Sequence, residues 1–218
     1  MRRTQRTTAF TLIELLVVIA VISLLLGIMV PVVSMTVRKT EDYRAGARVS
    51  ELGLACMMYR NQDGGEIYYP GQQYPEMLLG STAVCDPKLT GSQLLARALF
   101  WQDDLGDFGS SKYASLELED DLLTFRDMPD SISDKMSRPM AIVYFPARPG
   151  IAGPEQYVYG DNAPYVDAGE GEVAFYRDFT VVPSSQKVRH DGKYLIIAAG
   201  MDRVYFTADD HCFPPKER

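Results

Sequence analysis

Hydrophobic positions along the chain fall into three regimes. From residue 10 to 33 almost every position is apolar, and only Thr11, Glu14 and Ser23 interrupt the run. Next, Ala45, Val49, Leu52, Cys56 and Tyr59 recur at four- and three-residue spacing, the single stripe of an amphipathic helix. Arg44, Arg48, Ser50, Glu51 and Asn61 fall mostly off that stripe. The two patterns together predict one helix running through Pro31 to about Arg60 and stopped by Asp63-Gly64-Gly65. After it the pattern shortens. A second helix is expected over 90–102, with Leu94, Leu95, Ala98 and Leu99 on one face and Thr90 or Ser92 as its cap. Strands are expected at 140–145, 156–159, 173–176, 194–198 and 203–207. The segment 194–198 is apolar without alternation, as a strand buried on both faces should be. Tyr68-Tyr69-Pro70-Gly71 and the residues to Pro75 read as a turn-rich connection packed over the helix. Helices first and strands later indicate an α+β fold with a small antiparallel sheet and irregular loops.

The run 10–33 is long enough to cross a bilayer, which takes about 20 apolar residues at about 1.5 Å each. It exceeds the apolar core of a cleaved secretory signal, about 7–15 residues. Glu14 separates it from a plain anchor as well. A charge at the centre of a membrane helix costs on the order of 2.5–3.5 kcal/mol, so it should have a partner and a purpose.

Glu14 lies within Ala9-Phe10-Thr11-Leu12-Ile13-Glu14-Leu15-Leu16-Val17-Val18-Ile19, behind a leader containing Arg2, Arg3 and Arg6. This segment resembles the class III signal of type IV prepilins and pseudopilins. The resemblance implies cleavage after Ala9 by prepilin peptidase on the cytoplasmic face, and N-methylation of the new amine at Phe10. Glu14 then becomes the fifth residue of the processed chain and Pro31 the twenty-second, positions where the family has glutamate and commonly proline. A methylated amine stays cationic, so Phe10 of one subunit would neutralise Glu14 of a neighbour, an ion pair that sets register. Pro31 removes a backbone N–H and should kink or loosen the helix.

The organisation expected on this basis is a leader at 1–9, a transmembrane and filament-core helix at 10–33, its amphipathic continuation at 34–62 and a globular pilin-like domain at 63–218. Membrane orientation rests on the motif, because Arg38, Lys39, Arg44 and Arg48 follow the span against three arginines before it. The implied location is the bacterial inner membrane, single-pass, with the C-terminal domain in the periplasm. The implied partners are prepilin peptidase, other pseudopilin or pilin subunits and an inner-membrane assembly platform.

Charge narrows the choice of function. The 218 residues carry 22 basic and 29 acidic side chains, a net −7. With the three leader arginines and Glu14 set aside, 19 basic and 28 acidic residues remain, a net −9 for the rest of the chain. That balance disfavours a general nucleic-acid surface. The run Glu117-Leu118-Glu119-Asp120-Asp121 reads as a solvated face.

The stretch from Lys193 to Asp210 resembles the end of the major pseudopilins of type II secretion. There a buried strand ends in a Gly-x-Asp turn and an acidic loop follows, which in the secretion pseudopilins binds calcium. The resemblance suggests Asp202, Asp209 and Asp210, with Thr207, as oxygen ligands for Ca²⁺, which takes six to eight oxygens. Arg203 and Phe206 stand where the relatives usually have glycine, and Arg203 is a candidate salt-bridge partner for the acids. Of the three cysteines, Cys56 on the helix stripe reads as a packed free thiol, whereas Cys85 and Cys212 lie in loops where they could pair. A membrane-anchored metal enzyme using Asp209, His211 and Cys212 is the poorest reading, since there is no second ligand cluster, nucleophile motif or phosphate loop. His190, before Asp191-Gly192, reads as a turn residue. The function expected is therefore a non-enzymatic structural subunit of a type II secretion-like pseudopilus. The alternative is a type IV pilus or minor pilin serving adhesion or DNA uptake.

Overall fold

A computed structural model describes residues 12–62, 68–102, 108–112, 122–167 and 169–216. The chain divides into two units, residues 1–40 and 41–218. One helix, α1 (Leu12–Gln62), spans both. Its stop signal at Asp63-Gly64-Gly65 lies outside the described residues, as do Ala9, Phe10 and the acidic run 117–121.

In the first unit α1 is helical through Pro31. Proline has no N–H to give to the carbonyl four residues earlier, at Gly27. Ser34 Oγ donates to Pro31 O at 2.9 Å, and the hydroxyls of Thr36 and Thr40 back-bond to Val32 O and Thr36 O. All of residues 12–40 are exposed, large apolar side chains included, from 46% at Val18 to 82% at Leu12.

In the second unit the stripe on α1 is buried as expected: Ala45, Val49, Leu52 and Cys56 are fully enclosed, together with Ala55, and Tyr59 packs at the edge. Arg48, expected off the stripe, is buried too. The stripe faces a three-stranded antiparallel sheet ordered β5 (Val143–Pro146), β8 (Tyr194–Ala198), β9 (His211–Phe213). Side chains alternate across a strand. In β8, Tyr194, Ile196 and Ala198 enter the core under α1, whereas Leu195 and Ile197 enter a second core on the other face. That second core holds Tyr159, Phe175, Phe179 and Phe206. Two-sided burial explains the unbroken apolar run of this strand.

Close packing fixes the remaining pieces. A Cβ on Gly53 of α1 would lie 2.5 Å from the Phe213 ring, so glycine lets β9 approach the helix. The buried Tyr194 hydroxyl donates to Gly53 O at 2.6 Å, and the Tyr144 hydroxyl to Pro70 O at 2.8 Å. Helix α2 (Gly91–Leu99) begins with a capping box in which Thr90 and Gln93 satisfy each other's backbone N–H groups. A Cβ on Gly91 would lie 1.8 Å from Tyr144 O, so only glycine lets α2 sit on β5. Tyr69 is buried against Tyr194, which bears out the expected packing of the 68–75 loop over the helix.

Several sequence expectations are corrected. The second helix stops at Leu99, and Phe100–Gln102 turns extended as β1, pairing with β2 (Phe108–Ser111). Residues 156–159 are not a strand: they link the short 3₁₀ turns Pro154–Gln156 and Tyr159–Asn162. Residues 173–176 belong to α3 (Glu170–Ala174) and the π-type turn Phe175–Phe179 that continues it. Phe175 and Phe179, four apart, are both buried, a helical spacing concealed by the local run of apolar residues. Residues 203–207 are consecutive turns, with Arg203 and Phe206 in the left-handed region. Hairpins β3 (Leu122–Phe125) with β4 (Met128–Ile132), and β6 (Val181–Val182) with β7 (Lys187–Val188), were not foreseen. The expected α+β, pilin-like plan of one long apolar helix followed by small antiparallel sheets holds.

Candidate functional site

The first candidate is the exposed portion of α1. Its apolar residues occupy every side of the helix, not one stripe, so no single packing partner in this chain could cover them. This is the one helix among the described residues long and apolar enough to cross a membrane. Glu14 stands in its first turn, where a carboxylate also favours the positive end of the helix dipole.

The second candidate is the loop between β8 and β9. Gly200 O accepts from Arg203 N at 3.2 Å, closing the turn that carries Asp202. The chain then reverses again through Phe206 and presents Asp209 and Asp210. Ligand oxygens of Asp202, Asp209 and Asp210 lie within 4.8 Å of one another, and His211 and Cys212 do not join them. His211 Nε2 instead faces Asp42 of α1 at 2.8 Å, and the Cys212 thiol donates to Pro214 O. The metal-enzyme grouping of Asp209, His211 and Cys212 is therefore not assembled.

Asp210 is buried and organises the loop. Its carboxylate accepts from the backbone N–H groups of Gly200 (3.1 Å), Phe206 (2.6 Å) and Thr207 (3.3 Å). Burial nevertheless dominates and pushes its pKa up to about 6. Asp209 is exposed and accepts from the Thr207 hydroxyl (2.7 Å) and Asp202 N–H (3.2 Å). Its partial burial raises the pKa, but these and other backbone hydrogen bonds outweigh it and hold Asp209 below the ordinary carboxylate range. Asp202 in turn accepts from Val204 N–H at 2.9 Å.

Arg203 does not neutralise these acids. Its guanidinium turns to buried Asp134 at 2.7 Å and to Arg138 O at 2.5 Å. Arg203 and Phe206 thus keep the left-handed turns that glycine usually makes, and Phe206 is anchored in the second core. The carboxylate spacing would admit a hard cation. Several of the loop's oxygens already accept from internal donors, and the carbonyls of Thr207 and Ala208 both accept from Lys216 Nζ, at 2.7 and 3.4 Å.

Cys56, Cys85 and Cys212 are all free, so the expected Cys85–Cys212 bridge is not made. Cys212 is not a loop residue. It lies in β9, its thiol engaged with Pro214 O and its side chain packed on the second core. Cys56 is the packed thiol expected, and burial raises its pKa well above the usual value. His190 occupies the expected turn, with Nδ1 2.8 Å from Tyr194 O. An open cleft of about 940 Å³ beside α3 is bordered by Arg126, Arg177 and Arg203. Each already faces an acid of this chain, Asp167 (3.3 Å), Asp178 (2.6 Å) and Asp134 (2.7 Å).

Sequence reasoning missed Arg48 and Lys216. Arg48 fits the buried spacing one position before Val49, but its charge argues for exposure. Lys216 carries no periodic signal at all.

Comparison with known families gives one match, the prokaryotic N-terminal methylation motif at residues 5–30. Neither the curated proteins nor the solved structures provide a match to the chain. The motif covers Ala9 and Phe10, the expected cleavage and methylation positions, together with Glu14 and most of the exposed apolar helix, and it supports a type IV pilin-like protein, a substrate of prepilin peptidase that acts as a structural subunit.

Proposed function

We propose that this chain is a structural subunit of a type II secretion-like pseudopilus, cut by prepilin peptidase between Ala9 and Phe10 and N-methylated at Phe10. The observation that carries the reading is the exposure of residues 12–40 on every side of an apolar helix that also holds a carboxylate. Such a surface is stable only in a membrane or among other apolar helices. The helix begins in the inner membrane and moves into the filament core on assembly, with the C-terminal domain on the periplasmic side. There Glu14 meets the methylated amine of Phe10 on a neighbouring subunit, which neutralises a charge that lipid would penalise and fixes the axial register. Pro31 supplies a point at which the helix gives when subunits pack. The Gly200-Met201-Asp202 turn that follows β8, by its resemblance to the major pseudopilins, favours a pseudopilus over a surface pilus.

Glu14→Ala tests the assembly role. Mass spectrometry should find the variant still cut at Phe10, while chemical cross-linking should lose the ladder of subunit contacts seen with the unaltered chain. An undiminished ladder in that variant would contradict the pairing. Recovery of this chain in filaments sheared from the surface of intact cells would instead favour a type IV pilus.

A further inference from the structure

We propose that Lys216 is the resident cation of the loop between β8 and β9, an ammonium carried by the chain itself that gathers two of the loop's carbonyl oxygens beside the acidic cluster. The carbonyls of Thr207 and Ala208, consecutive in the loop, converge on one point, and Lys216 Nζ stands there at 2.7 and 3.4 Å. The Phe179 ring receives the same ammonium, its centroid 4.1 Å away, so the charge rests on carbonyl dipoles on one side and an aromatic face on another. Its field acts on Asp210 of the loop and on Asp178 below it, favouring the ionised form of each.

The delivery of Lys216 is also built. Strand β9 pairs with β8 through Phe213, and only two residues separate Phe213 from Lys216. Between them Pro215 O accepts from the buried Arg189 guanidinium at 3.0 Å, and Pro214 O accepts from the Cys212 thiol at 3.3 Å. The ammonium is thus held by a short tether fixed at both carbonyls.

Calcium requires six to eight oxygens and recruits neutral carbonyls to complete its shell. In this loop the two carbonyls are taken by Lys216, and the carboxylates are turned to the N–H groups of Gly200, Asp202, Val204, Phe206 and Thr207. A metal that completed its shell with those carbonyls would have to displace the ammonium. The consequence is a loop whose order depends on the docking of the C-terminal tail and not on the calcium concentration around it.

The test uses the intact protein in detergent. Thermal unfolding is followed with calcium chloride and with a chelator, and amide hydrogen exchange is read at Phe206 and Thr207. The unaltered chain should show the same midpoint in both solutions. Lys216→Met should lower the midpoint by about 2–6 °C and speed exchange at both amides roughly tenfold. Lys216→Arg, which keeps the charge, should retain most of the protection, and Lys216→Gln should not. A midpoint of the unaltered chain that rises with calcium would overturn the proposal, and that titration needs no variant to fold. Unchanged exchange in Lys216→Met or Lys216→Gln would overturn it equally.

Discussion

Residues 12–40 and residues 41–216 obey opposite rules, although one helix runs through both. In the first stretch apolar side chains point in every direction and none is buried. In the second, α1 narrows to one stripe, and the side chains on it are enclosed by β8, α2 and the 68–75 loop. Each stretch also sets a carboxylate in apolar surroundings. Asp161 has its cation within the chain, Arg148 at 2.6 Å, with both side chains nearly sealed from solvent. Glu14 is proposed to take its counter-charge from another subunit. The lesson is that an apolar residue stabilises the monomer only where the chain supplies the cover. Where another molecule does, the same residue stabilises the assembly.

The comparison can be broken at its strongest point first. Arg148→Met would leave the Asp161 carboxylate buried without its cation, at a cost of about 3–5 kcal/mol at neutral pH, read by denaturant unfolding of the detergent-solubilised protein. Asp161 also sets a pH response. Burial, partly offset by Arg148 and by the Gly80 N–H, raises the Asp161 pKa to about 6. The folded chain therefore binds this proton more tightly than the unfolded chain does. Its stabilising contribution is absent at neutral pH and grows as the pH falls through 6 toward the unfolded value. The unaltered protein should gain stability from this group between pH 7 and 5, and Asp161→Asn should lose that gain.

A matched pair comes next in size. Leu52→Ala should cost about 2–5 kcal/mol, because Leu52 is fully enclosed under α1. Leu24→Ala, on the exposed stretch of the same helix, should change monomer stability by less than about 0.5 kcal/mol. Equal losses at the two positions would show that the two stretches do not differ as described. Gly53→Ala should cost about 1–3 kcal/mol by pressing on the Phe213 ring, with Gly27→Ala harmless since a Cβ there meets nothing within 4 Å. The smallest of the destabilising changes is at a cap: Thr90→Ala should cost about 1 kcal/mol and fray α2.

How far the sequence discloses each part depends on how local its signal is. The exposed helix, its glutamate and its proline are legible because composition and spacing alone define them. Strand β8 is legible because an unbroken apolar run needs two covered faces. The 173–176 segment misleads because Val173, Ala174, Phe175 and Tyr176 are all apolar or aromatic, a run that hides the four-residue spacing of Phe175 and Phe179. The 203–207 segment misleads because Val204 and Phe206 alternate, yet Phe206 bends back in the left-handed region to reach the second core. Strand β9 has three half-buried residues, too few to leave a pattern. The acids of the β8–β9 loop are visible in sequence, but the lysine that holds two of the loop's carbonyls lies in a proline-flanked tail with no periodic signal. Contacts closed by tertiary structure, such as Lys216 on Thr207 and Arg203 on Asp134, have no local signature to read.

The most direct test of the central claim is the N-terminal mass of the protein taken from the membrane fraction of cells that make it. A processed subunit gives a chain that begins with N-methylated Phe10. A chain beginning at Met1 or Arg2 would make the helix an uncut anchor, and one beginning near Met35 would make it a discarded signal; either result would contradict the account.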